Sequence, residues 1–172
     1  KELIIRYFSY FTILSNLMVA ISCTMLFIGK GTGSWRFFHR QSVVAAITVY
    51  IVIVGVVYNL VLRSVWDPQG LQKVVDELFH TVNPILYLLM WIFLAGKDQL
   101  KWKMVFSWLI YPIVYCIFIL IRGHASGSYP SPFINVIELG MTKTLQNIGI
   151  LSASFLAVSL LVIAVGKQMS KR

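Results

Sequence analysis

Charged side chains are scarce in this chain: Asp, Glu, Lys and Arg together make up 12% of its 172 residues. A water-soluble domain carries about 25% of these residues. Hydrophobic residues, in contrast, make up 58% of the chain. The composition excludes an ordinary soluble domain and favours a protein surrounded by lipid.

Cysteines and sequence motifs of ligand-binding sites are also scarce. The only cysteines, Cys23 and Cys116, lie within apolar stretches, where a thiol behaves as a small hydrophobic group rather than as half of a disulfide. The sequence has no metal-ligand spacing, no phosphate-binding loop, no dinucleotide fingerprint and no HExxH motif. We therefore expect no metal and no cofactor.

Five long apolar runs account for most of the chain. Each is close to the roughly 20 residues that a helix needs to cross the hydrocarbon core of a bilayer. Short basic connections separate them, which excludes a signal peptide. The sequence predicts an all-α fold, a polytopic transmembrane helical bundle that forms one domain over 1–172, with spans at about 4–28, 41–62, 78–95, 104–121 and 145–166.

The net charge of +9 is interpreted here as membrane topology and not as nucleic-acid binding. With alternating spans, nine of the fifteen Lys and Arg residues fall on the side of the C-terminus and six on the other side. The positive-inside rule then places the C-terminus in the cytoplasm and residue 1 outside. We expect a further helix before residue 1 in the natural protein, which would give six spans with both ends in the cytoplasm.

A polar stripe interrupts the first apolar run. Ser9, Thr12 and Asn16 are spaced i, i+3, i+7 and share one helical face. Such side chains commonly hydrogen-bond between membrane helices, for about 0.6 kcal/mol each. Ser9 and Asn16 are also candidates for substrate binding. Thr12 would instead be a nucleophile if a base reached its hydroxyl.

His80 is the side chain best suited to act as that base. It lies four residues after Asp76, about 6 Å along the helix, while Thr12 lies about 9 Å beyond Arg6, so both reach a similar depth in the outer leaflet. Asp76 at i−4 would fix the imidazole tautomer, and Pro84 at i+4 would free the His80 carbonyl for another partner. The alternative is a histidine that only hydrogen-bonds a neighbouring helix.

Further polar residues lie near the same membrane face. Asn59 and Asn83 are oxyanion-stabilising candidates, although hydrogen bonds in helix packing explain both of them better. Arg63 and Arg122 would either snorkel to the interface or hold a substrate carboxylate. Tyr129 lies in a Gly-, Ser- and Pro-rich connection that would serve as an aromatic anchor at the headgroups or as a lid over the bundle.

Five blocks in a fixed order, from Arg6 to about Val136, resemble a bacterial multi-pass membrane family. That family is distantly similar to the animal androgen-induced-gene and androgen-dependent TFPI-regulating proteins. The blocks are RYFSYFTILSN, VYNLVLR, DELFHTVNPILYLLMW, YPIVYCIFILIRG and YPSPFINV. The chain departs from relatives at Met90, where they often have an acidic residue, and at Asn135, where they often have Asp.

The resemblance implies a six-helix bundle and an intramembrane threonine hydrolase in the bacterial cytoplasmic membrane. The animal relatives cleave fatty-acid esters of hydroxy fatty acids with a Thr and a His, and these match Thr12 and His80. The expected partners are membrane lipids and a lipid-like ester substrate. Two other classes stay open: a non-enzymatic binding protein or transporter for lipids or small molecules, and a structural subunit of a larger assembly.

Overall fold

The structure is a computed structural model, and it describes residues 2–28 and 34–171. These residues form helices and no strand, which confirms the predicted all-α bundle. Five helical segments are long and apolar enough to cross a membrane, so the chain fits an integral multi-pass membrane protein. We name them the first to fifth spans: Phe11–Ile28, Gln41–Leu62, Leu71–Leu94, Met104–Ser126 and Val136–Met169. The expected helix before residue 1 lies outside the described residues.

Several helix ends differ from the apolar runs. A short helix, Glu2–Tyr7, precedes the first span, and residues 8–10 between the two helices are not helical. The third span begins at Leu71, before the predicted apolar run at 78–95, since the polar stretch Leu71–Glu77 is also helical. The fifth span begins at Val136 and kinks at Gly140, whose φ of 75° favours glycine. Hydropathy marks the stretch that lipid accommodates, whereas the helix continues into the polar interface.

The second span forms the centre of the bundle. Of an 18-residue apolar stretch of this span, 61% is buried, against 17–28% of the equivalent stretches in the other four spans. Ala45, Val49 and Ile51 are fully enclosed, and the span packs against the first, third and fifth spans. The other spans expose broad apolar faces, as helices surrounded by lipid do.

Two π-helical turns face each other at one end of the bundle. They are Tyr58–Leu62 in the second span and Leu78–Val82 in the third. Such turns are rare and often occur at functional sites. Gly55 lets the two spans approach closely, since a Cβ there would lie 3.0 Å from the Pro84 Cβ and 3.2 Å from the His80 carbonyl oxygen.

Candidate active site

The structure brings Thr12 and His80 into contact. Thr12 lies in the first turn of the first span, and His80 lies in the π-helical turn of the third span. The Thr12 Oγ1 and the His80 Nε2 are 3.2 Å apart, although 68 residues separate them in sequence. This distance allows a hydrogen bond and direct proton transfer between the two groups.

The surroundings of His80 fix its tautomer. Its Nδ1 lies 2.9 Å from the Asp76 carbonyl oxygen and 3.2 Å from the Asp76 Oδ1. Both oxygens are acceptors, so Nδ1 carries the hydrogen and Nε2 presents a lone pair to Thr12. The Thr12 hydroxyl then donates to Nε2. Asp76 is thus placed as the sequence predicted, with its backbone as an additional partner.

Tyr58 also contacts His80, a contact that the sequence did not predict. The phenol ring stacks on the imidazole with centroids 4.2 Å apart and an interplanar angle of 18°. Because Tyr58 is buried, this stacking restricts rotation of the imidazole. The position of Tyr58 in the sequence could have indicated this contact, since Tyr58 immediately precedes Asn59, a residue already assigned to this end of the bundle.

Asn16 connects the helices that carry Thr12 and His80. Its Nδ2 donates to the Thr12 carbonyl at 2.9 Å and to the Phe79 carbonyl at 3.1 Å. Its Oδ1 accepts from the Asn83 Nδ2 at 2.9 Å. Asn16 and Asn83 do not line the cavity described below. Of the alternatives that the sequence left open, these contacts agree with interhelical hydrogen bonding for both residues, and not with substrate binding by Asn16 or oxyanion stabilisation by Asn83.

Asn59 likewise points into a network between helices and not into the cavity. Its Nδ2 lies 3.3 Å from the His80 carbonyl oxygen and 3.3 Å from the Thr81 hydroxyl. The His80 carbonyl is the group that Pro84 was expected to free for another partner. Its Oδ1 accepts from Arg63 at 2.7 Å. Arg63 also pairs with Glu77. Hence Asn59 is not placed to stabilise an oxyanion, and Arg63 is not placed to hold a carboxylate in the cavity.

A cavity of about 730 Å³ opens beside the Thr12–His80 pair. The volume is typical of small-molecule sites, which span about 300–1,000 Å³. Apolar and aromatic side chains dominate its walls, and Asp76 is the only acidic residue among the described lining residues. Buried lining residues include Ile53, Val54 and Phe155; exposed ones include Tyr7, Tyr10, Val65 and Trp66. The cavity therefore extends from the core to the surface.

The Pro-rich connection after the fourth span forms part of the cavity wall, through residues 130–134. This agrees with the lid alternative. Tyr129 does not line the cavity but packs on Gly123, where a Cβ would lie 2.0 Å from its ring. Arg122 donates to the Ser128 carbonyl at 3.5 Å and is also outside the lining. Tyr129 and Arg122 therefore hold the connection in place instead of contacting a ligand in the cavity.

Ser9 lies in the non-helical segment, residues 8–10, that precedes the first span. Its hydroxyl donates to the Ile5 carbonyl at 2.6 Å, and its carbonyl accepts from the Tyr115 hydroxyl at 2.9 Å. The Tyr115 oxygen also accepts from the Phe11 N–H at 3.1 Å. Ser9 is buried and outside the cavity lining, so its predicted role in substrate binding is corrected to a structural one. Tyr115, which the sequence analysis missed, fixes the turn that carries Thr12.

Within the described residues, no group of three or more His, Cys, Asp or Glu side chains could hold a metal ion. Comparisons with protein-family models, curated proteins and solved structures gave no match to this chain. The family resemblance therefore stays a prediction, and the functional argument depends on the geometry of the site.

Proposed function

We propose that this protein is an intramembrane hydrolase of lipid esters with Thr12 as nucleophile and His80 as general base. One observation carries the proposal: the 3.2 Å contact between Thr12 Oγ1 and His80 Nε2 beside a lipid-sized apolar cavity. A threonine hydroxyl is a weak nucleophile until a base takes its proton. The tautomer favoured by Asp76 leaves Nε2 free for that task.

The proposed reaction has two steps. Thr12 Oγ1 attacks the ester carbonyl carbon while its proton passes to His80 Nε2, and the alkoxide leaves with that proton as an alcohol. Water then attacks the acyl carbon of the acyl-threonine and transfers a proton to Nε2. The bond between that carbon and Thr12 Oγ1 breaks, Nε2 returns the proton to Oγ1, and the fatty acid leaves with the Thr12 hydroxyl regenerated. The sum is ester plus water giving acid plus alcohol.

We further propose that the site lies in the outer half of a bacterial cytoplasmic membrane and that the C-terminus is cytoplasmic. The support is the excess of Lys and Arg on the side of the C-terminus. Water would then reach the acyl-threonine from the outer face, and membrane lipids would be both the solvent and the source of substrate.

A lipid-binding protein without catalysis is the second candidate. One observation favours it: the two asparagines predicted as oxyanion donors are both occupied between helices and outside the cavity. Oxyanion stabilisation is usually a large part of catalysis of acyl transfer. A binding protein would keep the cavity and lack turnover.

Turnover of a fluorogenic medium-chain ester by the purified full chain in nanodiscs tests the proposal. Thr12→Ala and His80→Ala should each lower kcat by roughly 10²–10⁴-fold. Thr12→Ser should retain activity because it retains the hydroxyl. Thr24→Ala is the matched control on the same span, since Thr24 is exposed and its hydroxyl donates to the Ala20 carbonyl of its own helix. Wild-type turnover in both alanine variants, or no turnover by the folded wild type, would overturn the proposal.

A further inference from the structure

We infer that the cavity accepts esters that carry no charge on either arm, such as a neutral single-chain acylglycerol, and discriminates against esters with a free carboxylate. The inference rests on the proposed hydrolase activity and specifies its substrate class. It differs from what the family resemblance implies, since a fatty-acid ester of a hydroxy fatty acid carries a carboxylate.

The composition of the cavity wall disfavours a carboxylate. Among the described lining residues there is no Lys and no Arg. A carboxylate taken into an apolar cavity loses its hydration, and the neutral donors of this wall, such as Tyr10, Gln72 and Ser131, replace it less well than a cation does. Uncharged ester arms, in contrast, gain free energy from contact with the apolar wall.

The two arginines that the sequence offered as partners of a substrate carboxylate, Arg63 and Arg122, are already engaged. Arg63 pairs with Glu77 and donates to Asn59, and Arg122 donates to the Ser128 carbonyl. Neither lines the cavity. A substrate carboxylate would have to break the ion pair of Arg63 before it gained a partner.

The cavity wall also carries an acidic side chain beside the reacting groups. Asp76 lines the cavity and lies beside the imidazole. A second carboxylate near it would be repelled, and such repulsion is strong where water is excluded. The electrostatics of the site therefore oppose an anionic substrate while supporting the imidazolium that forms during catalysis.

A matched pair of esters tests this inference. The neutral substrate is 4-methylumbelliferyl dodecanoate, and its partner is the mono-4-methylumbelliferyl ester of dodecanedioic acid, which differs by a terminal carboxylate. With the wild-type chain in nanodiscs of uncharged lipid, we expect kcat/KM for the carboxylate ester to be lower by about tenfold or more. Equal values, or a preference for the carboxylate ester, would overturn the inference.

A charge placed in the wall should change this preference. Gln72 lines the cavity and is exposed, so Gln72→Lys introduces a cation with little effect on folding. We expect Gln72→Lys to raise the relative kcat/KM for the carboxylate ester severalfold. Gln69→Lys is the matched control, because Gln69 is exposed and outside the lining. The same shift in both variants would mean that surface charge, and not the cavity, sets the preference.

Binding of the two esters to the Thr12→Ala variant tests the substrate preference independently of the proposed hydrolysis. Quenching of Trp66, which lines the cavity, reports occupancy without turnover. Tighter binding of the neutral ester supports the inference even if neither ester is hydrolysed, a result that would overturn only the proposed hydrolysis. Equal or tighter binding of the carboxylate ester overturns the inference even if both esters are hydrolysed.

Discussion

Replacement of Asn16 by alanine should impair catalysis without weakening substrate binding. The side chain makes two bonds to the third span, one to the Phe79 carbonyl and one from Asn83. Interhelical bonds in membranes contribute about 0.6 kcal/mol on average and up to about 1.7 kcal/mol, so the loss of two costs about 1–3 kcal/mol. The larger effect is on geometry, because Asn16 lies one turn beyond Thr12 and bonds the residue that precedes His80.

The expected result is a fall in kcat of about 10–100-fold, since a displacement of about 1 Å at reacting groups has effects of that size. KM should change little because Asn16 does not line the cavity. The assay is kcat and KM on the neutral fluorogenic ester, with thermal unfolding measured in parallel.

Ser22→Ala is the matched control. Ser22 is buried on the same helix and bonds the Tyr87 hydroxyl of the third span at 2.8 Å, ten residues from Thr12. Its loss should lower stability by about 0.6–1.7 kcal/mol and leave kcat unchanged. If both variants lowered kcat equally, or if Asn16→Ala changed only stability, the positioning role would be refuted.

Three further predictions concern other contacts. Gly55→Ala forces the second and third spans apart beside His80 and should lower kcat several-fold. Gly149→Ala is the control, because nothing lies within 4 Å of its added Cβ, and it should leave kcat unchanged. Steady-state kinetics measures both variants. Gly123→Ala displaces Tyr129 and the cavity wall that follows it, so KM should rise more than kcat falls, and an unchanged KM would contradict this. Burial lowers the pKa of Lys97, so the unfolded chain binds more protons as the pH approaches the ordinary value of 10.5. Lys97 should therefore contribute stability that grows as the pH rises through that window and is lost as the pH drops through the lowered value. The difference in unfolding temperature between the wild type and Lys97→Met should shift in favour of the wild type as the pH rises through the window, and a difference independent of pH would contradict this.

The spans were predictable because lipid imposes a local requirement, a run of about 20 apolar residues, that each segment meets alone. That Thr12 and His80 lie at the same level of the bundle was predictable from helical rise, which converts sequence position into distance along each span. The interruption of the helix at residues 8–10 was not predictable, because the apolar composition continues across these residues.

Side-chain roles were harder to predict because they depend on which helices are neighbours. Periodicity placed Ser9 and Asn16 on the face of Thr12 but did not show that Ser9 would bond the short helix before the first span and Asn16 the third span. Arg63 was predicted at the right end, yet its partner Glu77 comes from a different span. The stacking of Tyr58 on His80 likewise depends on the approach allowed by Gly55.

The most direct test of the central claim, that His80 activates Thr12, is peptide mass spectrometry after treatment with a fluorophosphonate probe. The experiment uses the full chain in nanodiscs, wild type and His80→Ala, with folding of both verified by thermal unfolding. The account predicts one adduct on Thr12 in the wild type and its loss in His80→Ala. An adduct on another residue, undiminished labelling of Thr12 without His80, or no labelling of the folded wild type would contradict it.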